Sequence, residues 1–176
     1  MGSQRSAFEE LFQFVATSDD AAYLTVPDAV RFRTDVCGGH DAIFKYLEEL
    51  AIQGGDIVAA ALGTDVLQEP DLRPGDKSQI RRCGMSTVRL PIAVNGQENR
   101  MLSSPYPPVA VEDVSKVVHF LQVTLKDEFE TFVPVFQHGN WLWTRLSAQV
   151  YLESRDFEWL GRVLKGLVER VRKGEF

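Results

Sequence analysis

The sequence predicts an α+β domain in which helices cover a small antiparallel or mixed sheet. Segments with helical and strand periodicity follow one another as helices, strand, strand, helix, hairpin and helix. Strands therefore do not alternate regularly with helices, as they do in a doubly wound parallel sheet. In addition, the turn pair Gly139-Asn140 joins two strand-like segments into an antiparallel hairpin.

The length and composition are those of a single domain. The chain has 176 residues, of which 44% are hydrophobic and 25% charged, so it can bury one sizeable core. Its net charge of −6 argues against nucleic-acid binding, because phosphate contacts need a basic surface. No apolar run is long enough for a membrane span or a signal peptide, so no membrane contact is expected. Cys37 and Cys83 suit neither a disulfide scaffold nor a metal site, which predicts a reduced, cytoplasmic protein.

The first part of the chain is predicted to be helical. Apolar residues over 7–15 form a short helical stripe, although 12–15 could equally enter a strand. A second helix is predicted to start at 25–28. There Thr25 can cap, Pro27 fits the first turn, and Asp28 can complete a capping box.

A longer helix is predicted over 41–62, with Gly63 as its stop signal. Gly54 and Gly55 lie inside it, and each weakens a helix by about 1 kcal/mol. A bend or a close packing contact is therefore expected at this glycine pair.

The second part of the chain is predicted to supply the sheet. Alternation over 83–92 predicts a strand with Met85, Thr87 and Arg89 on one face. The other predicted elements are a helix over 112–127, hairpin strands over 131–137 and 141–148, and a terminal helix that begins at Ser154.

The hairpin carries the most informative residue of the chain. Trp141, Trp143, Arg145 and Ser147 are predicted to share one face of its second strand. A guanidinium on an aromatic-walled strand face can grip a carboxylate or phosphate through two parallel hydrogen bonds. The alternative is an arginine on a solvated face that stacks on a tryptophan for packing.

No residue set in the sequence predicts a catalytic or metal site. His40 starts a helix, His119 lies on a helix among apolar neighbours, and His138 stands at the hairpin tip with no nucleophile beside it. Ser147 and Ser154 lack the glycine setting of a nucleophile elbow. No phosphate-binding glycine loop or metal-ligand cluster occurs.

A polar segment around Thr17 separates the first helical patterns. Thr17, Ser18 and Asp19 favour turns and helix caps, because their side chains bond nearby backbone amides. Two adjacent hydroxyls in a loop can also hold a phosphate, so both roles remain open from the residues alone.

Two long runs resemble the class V aminotransferase family, whose members are fold-type I pyridoxal-phosphate enzymes. Residues 132–167, with the run Arg-Leu-Ser-Ala-Gln-Val-Tyr, resemble the C-terminal end of its fungal branch, which includes isopenicillin N epimerase-like proteins and hercynylcysteine sulfoxide lyases. Residues 8–39 are similar to the family segment that leaves the large domain. The resemblance implies that 1–24 correspond to that exit segment and 25–176 to the C-terminal small domain.

The resemblance also implies roles for two residues. Arg145 matches the arginine that holds the substrate α-carboxylate. Thr17 matches the threonine that reaches the phosphate of pyridoxal 5′-phosphate in the neighbouring subunit. Ala16 replaces the glycine before that threonine, which restricts the backbone there. No lysine of this chain matches the Schiff-base motif, and the family's cofactor pocket lies in the large domain.

The function that the resemblance implies is that of the small-domain portion of a pyridoxal-phosphate-dependent lyase or epimerase-like protein. Its substrate would be a small amino-acid-derived compound such as a cysteine conjugate. We expect no activity from this chain alone, because the large domain and Schiff-base lysine are absent, and we expect a homologous large domain or subunit as partner. The alternatives are a non-enzymatic truncated or split-gene product that associates with such a homologue, and a degenerate product without activity.

Overall fold

The computed structural model describes residues 6–12, 21–73, 75–95 and 108–176. The chain divides into two compact units, Met1–His40 and Asp41–Phe176. In chain order the described elements are α1 (Ala7–Phe12), α2 (Ala21–Leu24), α3 (Val26–Asp35), α4 (His40–Leu62), β1 (Met85–Ala93), a 3-10 turn (Val111–Asp113), α5 (Val114–Phe129), β2 (Val135–His138), β3 (Trp141–Ser147) and α6 (Ser154–Arg172).

In the first unit, α3 begins without the side-chain cap that the sequence predicts. Thr25 has helical dihedrals, φ −83° and ψ −12°, whereas a capping residue leaves the helical region. Its hydroxyl donates back to the Ala22 carbonyl at 2.8 Å, and Asp28 pairs with Arg31. The predicted capping box is therefore wrong. The helix itself and Pro27 in its first turn are confirmed.

The second unit contains a three-stranded antiparallel sheet in the order β1-β3-β2. Its hairpin turns at Gly139, which has a left-handed φ of 57° that suits glycine. β1 pairs with β3 across a long stretch of sequence, with Met85 opposite Ser147. β2 is shorter than predicted, because Pro134 has no N–H to extend the ladder.

Helices α4, α5 and α6 cover one face of this sheet. Along β3 the side chains of Leu142, Thr144 and Leu146 are buried, whereas those of Arg145 and Ser147 are exposed. The inward residues belong to one core cluster with helical side chains that include Val58, Val117, Leu121, Leu125, Phe157, Leu164 and Leu167. The predicted α+β class is therefore confirmed.

The glycine pair in α4 allows the neighbouring elements to approach the helix closely. A Cβ on Gly54 would lie 2.6 Å from the Cγ of Phe157 in α6, and one on Gly55 would lie 2.7 Å from the Ser86 hydroxyl of β1. The helix continues past both glycines and ends at Gly63, whose φ is 66°. The predicted packing contact is confirmed.

Candidate functional site

Arg145 lies at the centre of the outer face of the sheet, opposite the helices. β3 is the middle strand, and its register places Thr87 of β1 opposite Arg145. On the other side, the Arg145 backbone N–H donates to the Pro134 carbonyl at 3.2 Å. The backbone is thus held from both sides while the side chain is exposed.

The guanidinium of Arg145 makes no ion pair, hydrogen bond or aromatic contact with the described part of the chain. Its neighbour Arg89, on the same face, donates to Asp65 at 2.6 Å and lies 4.5 Å above the Trp141 ring. The stacking that the sequence allowed for Arg145 therefore belongs to Arg89. Arg145 is left available for an external anion.

The outer face around Arg145 carries both apolar and polar side chains. On β3, Trp143 is only 9% exposed, and its indole N–H donates to the His138 carbonyl at 3.0 Å. Phe136 of β2 and Met85 of β1 lie on the same face and are substantially exposed.

A cleft of about 600 Å³ opens beside Arg145. This volume lies within the range of small-molecule sites. The segment between α5 and β2 and the first turns of α6 form its walls. Its lining consists of Glu130, Thr131, Phe132, Val133, Pro134, Arg145, Leu146, Ser147, Gln149, Tyr151, Leu152, Asp156, Phe157, Trp159 and Leu160.

Local contacts fix both walls of this cleft. The Trp159 ring meets Phe129 edge to face, with ring centroids 6.5 Å apart and an interplanar angle of 69°. Glu130 ends α5 in a left-handed conformation, φ 50° and ψ 33°, while its N–H still donates to the Leu125 carbonyl. Among the described non-glycine residues it alone has a positive φ. This reversal directs the chain from α5 into the cleft wall.

The cleft has an uneven charge distribution. Among the described residues that line it, Arg145 alone is basic, whereas Glu130 and Asp156 are acidic. Asp156 accepts a hydrogen bond from the Glu153 backbone N–H at 2.7 Å as part of the capping box of α6. The lining thus offers one cation for an anionic group and carboxylates elsewhere.

The lysines of the chain do not form a cofactor site. All six lie within the described ranges and are exposed, and none lines the cleft: Lys45, Lys77, Lys116, Lys126, Lys165 and Lys173. The hydrogen bond from Lys116 to Asp113 raises the pKa of that amine. A lysine that bonds covalently to a cofactor needs a desolvated amine with a lowered pKa. The residues present therefore do not fit a pyridoxal-phosphate pocket.

Thr17 and Ala16, which the family resemblance singles out, lie outside the described residues. The three histidines are exposed and do not meet at one place. His40 contacts Arg33 at 3.1 Å, and the His138 ring faces Trp143 edge-on at 6.1 Å.

The described ranges show no metal site and no helix that could span a membrane. No cluster of potential metal ligands occurs there, and Cys37 and Cys83 are free thiols. No helix among these residues has the length and apolarity to cross a bilayer.

Sequence reasoning found Arg145 but missed the cleft beside it. Phe132, Tyr151 and Trp159 are exposed aromatic residues on its walls. Trp159 carried a usable signal, because it lies off the apolar stripe that contains Phe157 and Leu160. A large aromatic side chain on the polar side of an amphipathic helix indicates a surface with a binding role.

Comparison with known proteins relates nearly the whole chain to part of larger ones. The chain is 44% identical over 171 residues to the L-cysteine desulfhydrase-like protein lolT2 of Epichloe uncinata. This match covers 97% of this chain and 37% of lolT2. The chain is also 43% identical over 171 residues to the L-cysteine desulfhydrase-like protein lolT1 of the same organism. This match covers 97% of this chain and 38% of lolT1. The hercynylcysteine sulfoxide lyase of Schizosaccharomyces pombe is 25% identical over 143 residues, 81% of this chain and 28% of the lyase.

No protein-family model matches the chain. The chain spans less than two-fifths of the length of each of these relatives. It is therefore similar, over nearly its full length, to one portion of L-cysteine desulfhydrase-like proteins and, more distantly, of a hercynylcysteine sulfoxide lyase.

Proposed function

We propose that these residues form the small-domain portion of a pyridoxal-phosphate-dependent lyase or epimerase-like enzyme of the class V aminotransferase family. Arg145 binds the α-carboxylate of an amino-acid-derived substrate such as a cysteine conjugate. The observation that carries the proposal is the exposed Arg145 guanidinium, which pairs with no described residue and lies beside a cleft of about 600 Å³. The similarity to L-cysteine desulfhydrase-like proteins supports the choice of substrate class.

Arg145 would act by binding and orienting its ligand. Its planar guanidinium matches a carboxylate through two parallel N–H···O hydrogen bonds, which fix the direction of approach. The apolar rings of Phe136 and Trp143 on the same sheet face limit competing water. The middle-strand backbone fixes the point from which the Arg145 side chain reaches its ligand.

The cofactor of this proposal is pyridoxal 5′-phosphate, which supplies an electron sink for a carbanion when bound. The six exposed lysines of this chain do not fit this group. We propose that the residues that hold it correspond to the parts of the relatives that this chain does not match. Thr17 would contact the cofactor phosphate across a subunit interface.

We also propose a cytoplasmic location, which the free thiols of Cys37 and Cys83 support.

The proposal for Arg145 can be tested by nuclear magnetic resonance on the 176-residue chain. We expect S-methyl-L-cysteine to shift the Arg145 Nε–H signal, and its carboxamide analogue to leave that signal unchanged. Arg145→Met should weaken binding about tenfold or more, because a charge-assisted pair contributes about 1.5–3 kcal/mol. The matched control is Arg162→Met, which removes an exposed arginine that lies on α6 and does not line the cleft. Equal binding of the acid and the carboxamide would refute the carboxylate role.

Catalysis by the isolated chain can be tested separately. We expect no thiol release from S-methyl-L-cysteine when the chain is supplied with pyridoxal 5′-phosphate, since no lysine lines the cleft. Turnover by this chain alone would contradict the small-domain proposal.

A second candidate is a non-enzymatic partner that associates with a full-length or large-domain homologue. It is favoured by the apolar side chains on the outer sheet face, since Phe136 and Met85 are 38% and 43% exposed. We expect the chain to co-elute with the portion of lolT2 that it does not match. A monodisperse monomer that binds neither that portion nor an apolar dye would count against this candidate.

A further inference from the structure

We propose that the cleft beside Arg145 selects the substituent of the ligand whose carboxylate Arg145 holds. It accepts bulky planar or aromatic groups and rejects acidic ones. The inference rests on the proposed carboxylate role of Arg145 and extends it to a substrate class, namely cysteine conjugates with an aromatic S-substituent.

The position of the cleft supports this assignment. Arg145 lines it together with Ser147 of the same strand, so a group anchored on the guanidinium can continue into the cleft. The far wall is formed by Tyr151 and Trp159, near the start of α6. The cleft has a volume of about 600 Å³, so a methyl or other small substituent would leave most of it empty.

Three aromatic side chains on the walls are substantially exposed. Phe132 is 62%, Tyr151 77% and Trp159 38% exposed, so their faces remain free to contact a ligand. The Trp159 ring is already oriented by its edge-to-face contact with Phe129. A preorganised ring costs little entropy on binding, and aromatic pairs gain more than their buried area alone provides.

The charges of the lining exclude acidic substituents. Once a carboxylate occupies Arg145, no other basic side chain lines the cleft. Glu130 is exposed there, and the Asp156 carboxylate accepts the hydrogen bond that caps α6. A second anionic group would face these carboxylates without a compensating cation, which weakens binding.

The test compares three ligands on the intact chain: S-benzyl-, S-methyl- and S-carboxymethyl-L-cysteine. We expect the benzyl compound to bind about five- to tenfold more tightly than the methyl compound and to shift the Trp159 indole N–H signal. The carboxymethyl compound should bind more weakly than the methyl compound. Glu130→Gln should reduce that difference.

Two variants connect the preference to the cleft. Trp159→Ala and Tyr151→Ala, at the more exposed of the two residues, should each weaken the binding of the benzyl compound more than that of S-methyl-L-cysteine, and so reduce the benzyl preference. Because Tyr151 is mostly exposed, its replacement tests the cleft even if Trp159→Ala does not fold. Trp141→Ala is the control, since Trp141 lies against Arg89 outside the cleft.

The outcomes separate this inference from the proposed function. If all three ligands bind equally and Arg145→Met abolishes their binding, the carboxylate role stands and the substituent preference is wrong. If the benzyl preference persists in both Trp159→Ala and Tyr151→Ala, the cleft is not the selecting surface. If Arg145→Met leaves the binding of all three ligands unchanged, the proposed function itself fails.

Discussion

Gly54 of α4 and Phe157 of α6 approach so closely that a Cβ on Gly54 would lie 2.6 Å from the ring. We therefore expect Gly54→Ala to lower the free energy of unfolding by about 1–2 kcal/mol. Overpacking costs about 1–3 kcal/mol, and the better helix propensity of alanine returns only about 1 kcal/mol. Urea denaturation of both proteins measures the difference.

The matched control for this prediction is Gly166→Ala in α6. Gly166 is exposed, and a Cβ there would meet nothing within 4 Å, so the propensity gain should appear alone as about 0.5–1 kcal/mol of added stability. Stabilisation by both substitutions would show that the contact with Phe157 relaxes freely.

Glu130 gives a prediction of the opposite sign. Its left-handed φ of 50° at the end of α5 is a conformation that glycine adopts without strain. Glu130→Gly should raise the free energy of unfolding by about 0.5–1 kcal/mol, because the steric cost of the Cβ is removed. Glu130→Val should lower the free energy of unfolding, since a β-branched residue fits this region worst. Thermal unfolding of the three proteins, compared by Tm, provides the measurement.

Glu69 makes part of the stability dependent on pH. The Ser78 hydroxyl, with the backbone amides of Ile80 and Gln79, lowers the pKa of Glu69 to about 2 from its ordinary 4.5. A lowered folded-state pKa stabilises the protein fully above pH 4.5, and this contribution is lost as the pH falls through 2.

The variant Glu69→Gln tests this dependence. It should be less stable than the native chain at pH 7, and the gap should narrow steadily between pH 4.5 and 2. Glu158→Gln, at an exposed position on α6, is the control. A gap of constant size across that range, measured by urea midpoints at each pH, would contradict the assigned cause.

Arg89 and Trp141 should be energetically coupled. The Arg89 guanidinium lies 4.5 Å from the ring centroid and is partly buried, and such a contact contributes about 0.5–1 kcal/mol. A double-mutant cycle with Arg89→Met and Trp141→Leu should recover this coupling energy. The same cycle between Arg145 and Trp141 should be additive, because the Arg145 guanidinium makes no aromatic contact among the described residues.

The pattern of alternating residues predicts the hairpin faces correctly, because a strand has only two faces and one of them must be buried. Leu142, Thr144 and Leu146 are all fully or almost fully buried, as their spacing requires. The same argument places Arg145 and Arg89 on the outer face. The alternation does not predict the register of β1 on β3, because that register depends on pairing between residues far apart in sequence. It therefore does not predict which arginine contacts Trp141.

Local signals were less reliable where neighbouring structure competes with them. Thr25 has the right residue type for a cap, but α2 precedes it directly and keeps its backbone helical. The cleft was not predictable for a related reason. Its walls combine Glu130 at the end of α5 with Trp159 on α6, and only the packed fold brings these residues together.

The position of Arg145 on the central strand has a consequence for how the protein can change. Neighbouring strands on both edges would lose hydrogen bonds if this strand moved, so the distance that the guanidinium can reach is set by the torsions of a single side chain. In Arg145→Lys the side chain is shorter, and the central strand could not shift to close the resulting gap between the cation and its ligand. New ligands at this place are therefore more easily acquired through changes in the surrounding walls than through changes in the anchor.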